Sequence, residues 1–252
     1  MTAAVATPVH VRPAARRTGP SLSAAVGLEM RKSLSTRSGK ALVGSALLLA
    51  PAAVLIASGT ASESLDNVLG PLVVTGLLTA LVLVALGVLS TAGEWSHGSV
   101  QTTFLLEPRR GRVMAAKSVA VALMGAVVAA AAAGMSALLL LVMEPSASWE
   151  GGLRAILFVA VGGAVFALIG AGVGAAVGNT PGALTGIYLL DLGLLPVLQI
   201  VKPELADKID PGNAILELAQ GDHQALSVTI LAVWVGVALV AGTVMNQRRA
   251  VQ

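Results

Sequence analysis

Asp191 is the only ionisable residue set well inside an apolar run of this sequence. Counted from Ala183 it lies about eight residues in, roughly 12 Å along a helix at 1.5 Å per residue. A charge near the centre of a bilayer costs at least ~2.5–3.5 kcal/mol, so such a carboxylate must face protein or water. Two roles fit that constraint. Asp191 either lines a substrate path or accepts a proton there, or it is a hydrogen-bonded side chain holding two helices together. Pro196, five residues on, leaves a backbone carbonyl without its donor and favours a kink. Familiar catalytic sets are missing. There is no GxxxxGK[ST] phosphate loop, no Rossmann glycine pattern in a soluble βαβ unit, and no convergent Ser/His/Asp set or carboxylate pair. With no cysteine, disulfides, thiolate metal sites and Cys nucleophiles are excluded, and His10, His97 and His223 are too scattered to build a metal site. The chain thus shows no nucleotide-hydrolysing site of its own.

The second chemically distinctive stretch is Glu94 to Lys117, EWSHGSVQTTFLLEPRRGRVMAAK. It is a long polar, charged segment between two apolar runs, and connections beyond about 12–15 residues usually serve a function. Pro108 disfavours helical geometry at Glu107 and so marks a stop. Ser99 is placed to cap a short helix from Val100 to Leu106, with Val100 and Phe104 four apart on one face. Val100, Phe104 and Leu105 are its apolar candidates for burial in a partner. Glu94 is placed to pair with a cation such as Arg109, Arg110 or Arg112. The competing reading is an ordinary juxtamembrane loop whose arginines sit near anionic headgroups.

These residues carry a resemblance. An acidic residue ends a span, His97-Gly98-Ser99-Val100 and Thr102-Thr103 follow, then Pro108-Arg109-Arg110, and Lys117 opens the next span. The order resembles the loop after the second span in type 2 ABC exporter permeases, with Ser99 where Thr is common and Thr103-Phe104 where Thr-Leu is usual. The resemblance implies a coupling helix that docks into a separate ATPase subunit, with Glu94, Gly98, Val100, Phe104, Leu105, Pro108, Arg109 and Arg110 as the coupling residues. It further implies two permease subunits, identical or related, assembled with two ATPase subunits. ATP and Mg would be bound by those partners, with no cofactor on this chain; the lack of a nucleotide-hydrolysing site fits a permease whose ATPase is another polypeptide. Membrane lipids are expected partners and nucleic acid is not.

The elements that must position these residues follow from composition. Of 252 residues, 56% are hydrophobic and 12% charged, and the mean hydropathy is +0.85. Soluble domains carry about 25% charged residues, so this chain needs lipid as solvent. The Ala/Val/Gly/Leu bias with few lysines fits a high-GC bacterial coding sequence. Residues 1–20, rich in Ala, Pro and Arg, read as a disordered tail without a signal-peptide core. In 21–40, Leu22, Val26, Met30 and Leu34 recur every four residues beside Arg31, Lys32, Arg37 and Lys40. That is the pattern of an interfacial amphipathic helix, and the resembled family has an elbow helix at this place. Six apolar runs follow, over about 41–58, 71–92, 113–143, 155–177, 183–201 and 226–245, and residues 246–252 form a tail. Each run approaches the roughly 20 residues that cross about 30 Å of hydrocarbon. Lipid cannot satisfy backbone groups, so all must be helical. The fold class is an all-α membrane protein.

Charge sets the orientation. Arg12, Arg16, Arg17, Arg31, Lys32, Arg37 and Lys40 precede the first run. Arg109, Arg110, Arg112 and Lys117 lie in or beside the 94–117 loop, and Arg248 and Arg249 in the tail. Only Arg154, Lys202 and Lys208 fall on the other side, where Glu63, Asp66, Glu144, Glu150, Glu204, Asp207, Asp210, Glu217 and Asp222 gather. Both termini are therefore expected in the cytoplasm of a cell membrane. Gly170, Gly174 and Gly178, with Ala167, Ala171 and Ala175, offer a close-packing face, unless they reflect only the small-residue bias of the chain. Residues 202–224 suggest a short helix resting at the outer surface, or an acidic solvated loop; type 2 exporters often carry re-entrant helices there, which this segment resembles weakly. The function expected is a permease subunit of an ATP-driven exporter of lipid, peptide, antibiotic or polysaccharide. The rivals are a proton-coupled secondary transporter using Asp191 and a non-transporting scaffold or immunity protein.

Overall fold

The computed structural model describes residues 21–60, 64–107 and 109–249, apart from the side chains of Phe104 and Leu106. The proposed tail at 1–20, Glu63 and Pro108 lie outside the described residues. Helices α1 (Leu22–Ser35), α2 (Arg37–Thr60), α3 (Leu69–Ser96), α4 (Val100–Leu106), α5 (Arg110–Met143) and α6 (Gly152–Val177) come first. Helix α7 (Thr180–Tyr188), a π-helical turn (Leu189–Leu194) and α8 (Leu195–Val201) form one continuous rod. It is followed by α9 (Pro203–Ala206), α10 (Pro211–Gln220) and α11 (Gln224–Arg248). Six helical stretches, α2, α3, α5, α6, the α7–α8 rod and α11, are long and apolar enough to cross a membrane. The six expected spans are therefore all present, each within a few residues of its expected bounds.

Helix α6 is the hub, packing on α3, α5 and α11. Its glycines let backbones touch. A Cβ at Gly87 of α3 would overlap the Ala167 carbonyl oxygen of α6, and one at Gly170 would overlap that of Val84. Gly125 of α5 and Gly163 of α6 face each other in the same way, and Gly172 abuts Ala238 of α11. The small-residue face of this span is thus a packing surface, divided among three neighbours. Hydroxyls add cross-links where lipid offers no competing water: Thr79 Oγ1 donates to Ala46 O at 2.9 Å, Thr91 Oγ1 to Ala171 O at 2.9 Å, and Tyr188 Oη to Leu81 O at 2.9 Å.

Two expectations are corrected here. The amphipathic helix spans Leu22–Ser35 rather than 21–40, because Thr36 is extended (ψ 150°) and the first span already begins at Arg37. Its inward stripe is Val26 and Met30, packed on Ala116 and Ala120 of α5, whereas Leu22 and Leu34 stay exposed. The helix before the last span does not rest at a surface. Ala214, Ile215 and Ala219 of α10 are fully buried. Ile215 sits in the space beside Gly162, and Trp234 Nε1 donates to Ile209 O at 2.7 Å. Trp234 lies ten residues into α11, so the chain re-enters the bundle by about 15 Å before α10 climbs back. Asp210 caps α10 by accepting from Gly212 N at 2.7 Å, which satisfies the amides at the buried turn.

Backbone overlap cannot be relieved by a rotamer change, which makes Gly87→Ala the sharpest test of this packing. It should destabilise the detergent-solubilised protein by about 1–3 kcal/mol. Gly236→Ala, where a Cβ enters open space, should stay within about 0.5 kcal/mol of the parent. Thermal or SDS-induced unfolding followed by circular dichroism measures both.

Candidate functional site

The charges of one bundle end converge on Lys117. It lies two turns into α5 and faces α3, where Ser90 and Glu94 are four apart on one face, and α1, where Glu29 and Lys32 are three apart. Lys117 Nζ donates to Glu29 Oε2 at 2.6 Å, to Glu94 Oε1 at 2.8 Å and to Ser90 O at 3.0 Å. All three ammonium protons are thereby used, and the side chain is only 6% exposed. Lys32 lies further out and donates to Glu29 Oε1 at 2.8 Å, Glu94 Oε1 at 3.1 Å and Thr103 Oγ1 at 3.4 Å. The Thr103 hydroxyl in turn donates to Glu94 Oε2 at 3.3 Å. Two cations and two anions thus join α1, α3, α4 and α5 with no net charge.

Burial acts to lower the Lys32 pKa, but Glu29 and Glu94 outweigh it and hold the group above the ordinary lysine range. The sign follows directly. A raised lysine contributes stability that is fully present below its unfolded value of 10.5 and is lost as pH climbs through the higher folded value. The link therefore holds across the physiological range.

Glu94 is joined to lysines and not to the loop arginines expected as its partners. Arg110 and Lys117 are seven residues apart and so share a face of α5, but Arg110 lies about 10.5 Å nearer the start, at the level where α11 ends. It donates to Asn246 O and Arg249 O, each at 2.8 Å. Arg112 pairs with Glu107 at 3.4 Å, and the amide of Arg109 donates to Glu107 Oε1 at 3.3 Å. A second correction concerns Val100. Only 6% exposed, it borders a small gap inside the bundle together with Val113 and Met114 and so turns toward this chain's own helices. Ser99 is helical and makes no side-chain cap. Leu105, by contrast, is 84% exposed at the tip of α4. Gly98 takes φ +67° in the turn from α3 to α4, a conformation that a side chain would strain.

The end of α11 closes the other flank. Arg249 donates to Ala176 O at 2.7 Å and Val177 O at 2.9 Å, capping carbonyls that the end of α6 leaves open. Its guanidinium also lies 5.1 Å from the Trp95 ring centroid, close enough for a cation–π contact. Gly178 (φ +65°) leaves room for that guanidinium, which fills the place of the missing side chain.

Asp191 belongs to a different region. It sits half-buried in the π-helical turn, where the Leu195 amide reaches back five residues to Leu190 O. Pro196, the next residue, has no amide to donate, and the rod continues past it as α8. Asp191 and Pro211 border the same small gap beside Trp234, so the re-entrant turn comes down to the level of this carboxylate. It lies far from the Lys117 cluster. Glu29 was not foreseen as a functional residue, although it is the only acid among the basic residues of 21–40.

Removing one member of a buried ion cluster leaves the others uncompensated, at a cost of about 3–5 kcal/mol. Lys117→Met should destabilise the protein by that order, because Glu29 and Glu94 would both lose their buried cation. Adding Glu29→Gln to Lys117→Met should recover part of the loss. Denaturation midpoints of the single and double variants, compared with Glu29→Gln alone, give the coupling.

A scan against protein-family models finds no match for this chain, and a search of curated proteins finds none either. What its residues and helices establish is a multi-pass membrane protein.

Proposed function

We propose that this chain is the membrane-spanning subunit of an ATP-driven exporter, and that α4 is the element docked by a separate ATPase. The observation that carries the reading is the way α4 is held. A seven-residue helix projects Leu105 from the bundle while its base is fastened through Thr103 and Glu94 to the Lys117 cluster. A helix that merely connected two spans would need no such fastening. A helix that receives a push from a moving partner does, since the push must shift α3 and α5 and not bend the junction. This arrangement supports the resemblance of residues 94–117 to the coupling loop of type 2 ABC exporter permeases. On this reading the basic end of the bundle faces the cytoplasm, two such chains assemble with two ATPase subunits, and the ATPases bind ATP and Mg.

Orientation is tested first. A cysteine at Gln220 should react with a membrane-impermeant thiol reagent on intact cells and one at Thr102 should not. The chain has no cysteine of its own, so the signal is unambiguous, and the reverse pattern would overturn the reading. Docking is tested by Leu105→Glu. Disrupting a central interface residue typically costs about 1–4 kcal/mol, so recovery of an ABC-type ATPase subunit with this chain, purified from its native membrane, should fall at least about tenfold. The fold should be unaffected, because Leu105 contributes little to the bundle. Undiminished ATPase recovery would remove α4 as the docking element.

A further inference from the structure

Between the start of α2 and the basic end of α3 lies a cavity of about 480 Å³, within the range of small-molecule sites. Its chemistry is graded. Leu86 and Leu89 line its deep part, and Gly39 and Gly93 bring only backbone to it. Its rim is polar, with the hydroxyls of Ser35, Thr36 and Ser38 on one side and His97, Ser99 and Thr102 on the other. The Lys117 cluster forms one wall.

That wall decides the charge of an occupant. Each lysine is already directed at Glu29 and Glu94, so an anion would have to draw Lys32 away from two carboxylates, and a simple cation would meet two lysines with no counter-charge of its own. A head carrying both signs can bind without dismantling the cluster. Glu94 Oε2 accepts only the long 3.3 Å bond from Thr103 among the described residues, which leaves acceptor capacity for an ammonium group. The hydroxyls of Ser99 and Thr102 offer donors for a phosphate. The place fits as well: the rim coincides with the charged ends of the spans and the floor with their apolar part, which is how headgroup and acyl regions are layered.

We infer that this cavity binds the head of a zwitterionic phospholipid, with its ammonium toward Glu94 and its phosphate toward the rim hydroxyls. A bound lipid would bridge the start of α2 and α4, so occupancy would bear on the position of α4. The inference does not depend on an ATPase partner and stands or falls separately from it.

The test uses the full chain, delipidated in detergent and titrated with phosphatidylethanolamine or phosphatidylglycerol, with bound lipid counted by native mass spectrometry. One phosphatidylethanolamine per chain should bind at least about tenfold more tightly than phosphatidylglycerol. Gly93→Leu, whose Cβ would meet nothing within 4 Å and whose position borders the cavity, should weaken that binding at least about tenfold while preserving the circular dichroism spectrum. Thr102→Trp, at the exposed rim, is a second obstruction that leaves the packed floor untouched. Gly236→Leu, on another helix with open space around it, should bind as the parent does. Equal binding of the two lipids, or undiminished phosphatidylethanolamine binding in both obstructed variants, would overturn the site.

Discussion

A single ammonium group governs the basic end of this protein. Lys117 is nearly sealed from solvent, and a charge so placed persists only if every proton finds an acceptor. The acceptors come from α1 and α3, which fixes how those two helices meet α5. Lys32 then balances the second carboxylate and reaches α4. The cluster is less a source of net stability than of register. Apolar side chains of similar volume would hold three helices equally well, whereas each bond of the cluster ties one group of α5 to one group of α1 or α3.

Within the bundle the constraint is different, because lipid removes the hydrophobic drive between helices and leaves packing and polar cross-links to do the work. Helix α6 answers with glycine at the points where α3, α5 and α11 approach. The rod of α7 and α8 is held at its α7 end, by Ala183, Ile187 and the Tyr188 hydroxyl. Little of it is buried, and Leu189, Leu192, Val197 and Ile200 stand exposed, a surface suited to lipid or to another chain.

The spans were legible because the bilayer imposes a length and a composition that no tertiary contact can override. The small-residue face of α6 was legible as a periodicity, but not its division among three partners, which depends on where each neighbour crosses. The partner of Glu94 was misread for a geometric reason. Arg110 and Lys117 share one face of α5, and only the axial level of α3 and α11 decides which of them meets the carboxylate. Val100 was misread because a seven-residue helix has two apolar sides, and sequence alone does not say which one the bundle takes. The buried course of α10 was open to the resemblance but not to the residues themselves, because Pro211, Gly212 and Asn213 look like a surface turn. They serve instead as the capped floor of a re-entrant segment.

The two flanks of the 94–117 loop are fastened by different physics, and the difference matters for what can move. On the α1 side the ties are ion pairs between side chains, strong where water is excluded and weakened as soon as it enters. On the α11 side Arg110 and Arg249 donate to main-chain carbonyls at helix ends, where the helix dipole favours a cation whatever the neighbouring side chains do. Opening the cluster would expose four charges to water, which would recover much of the lost interaction as hydration. Withdrawing Arg249 would leave the carbonyls at the end of α6 uncapped and strip Trp95 of its cation. The α1 flank therefore holds as long as water is excluded and the α11 flank without that condition. The base of α4 is tied to α3 and α5 by one set of bonds, and the end of α6 to the end of α11 by the other.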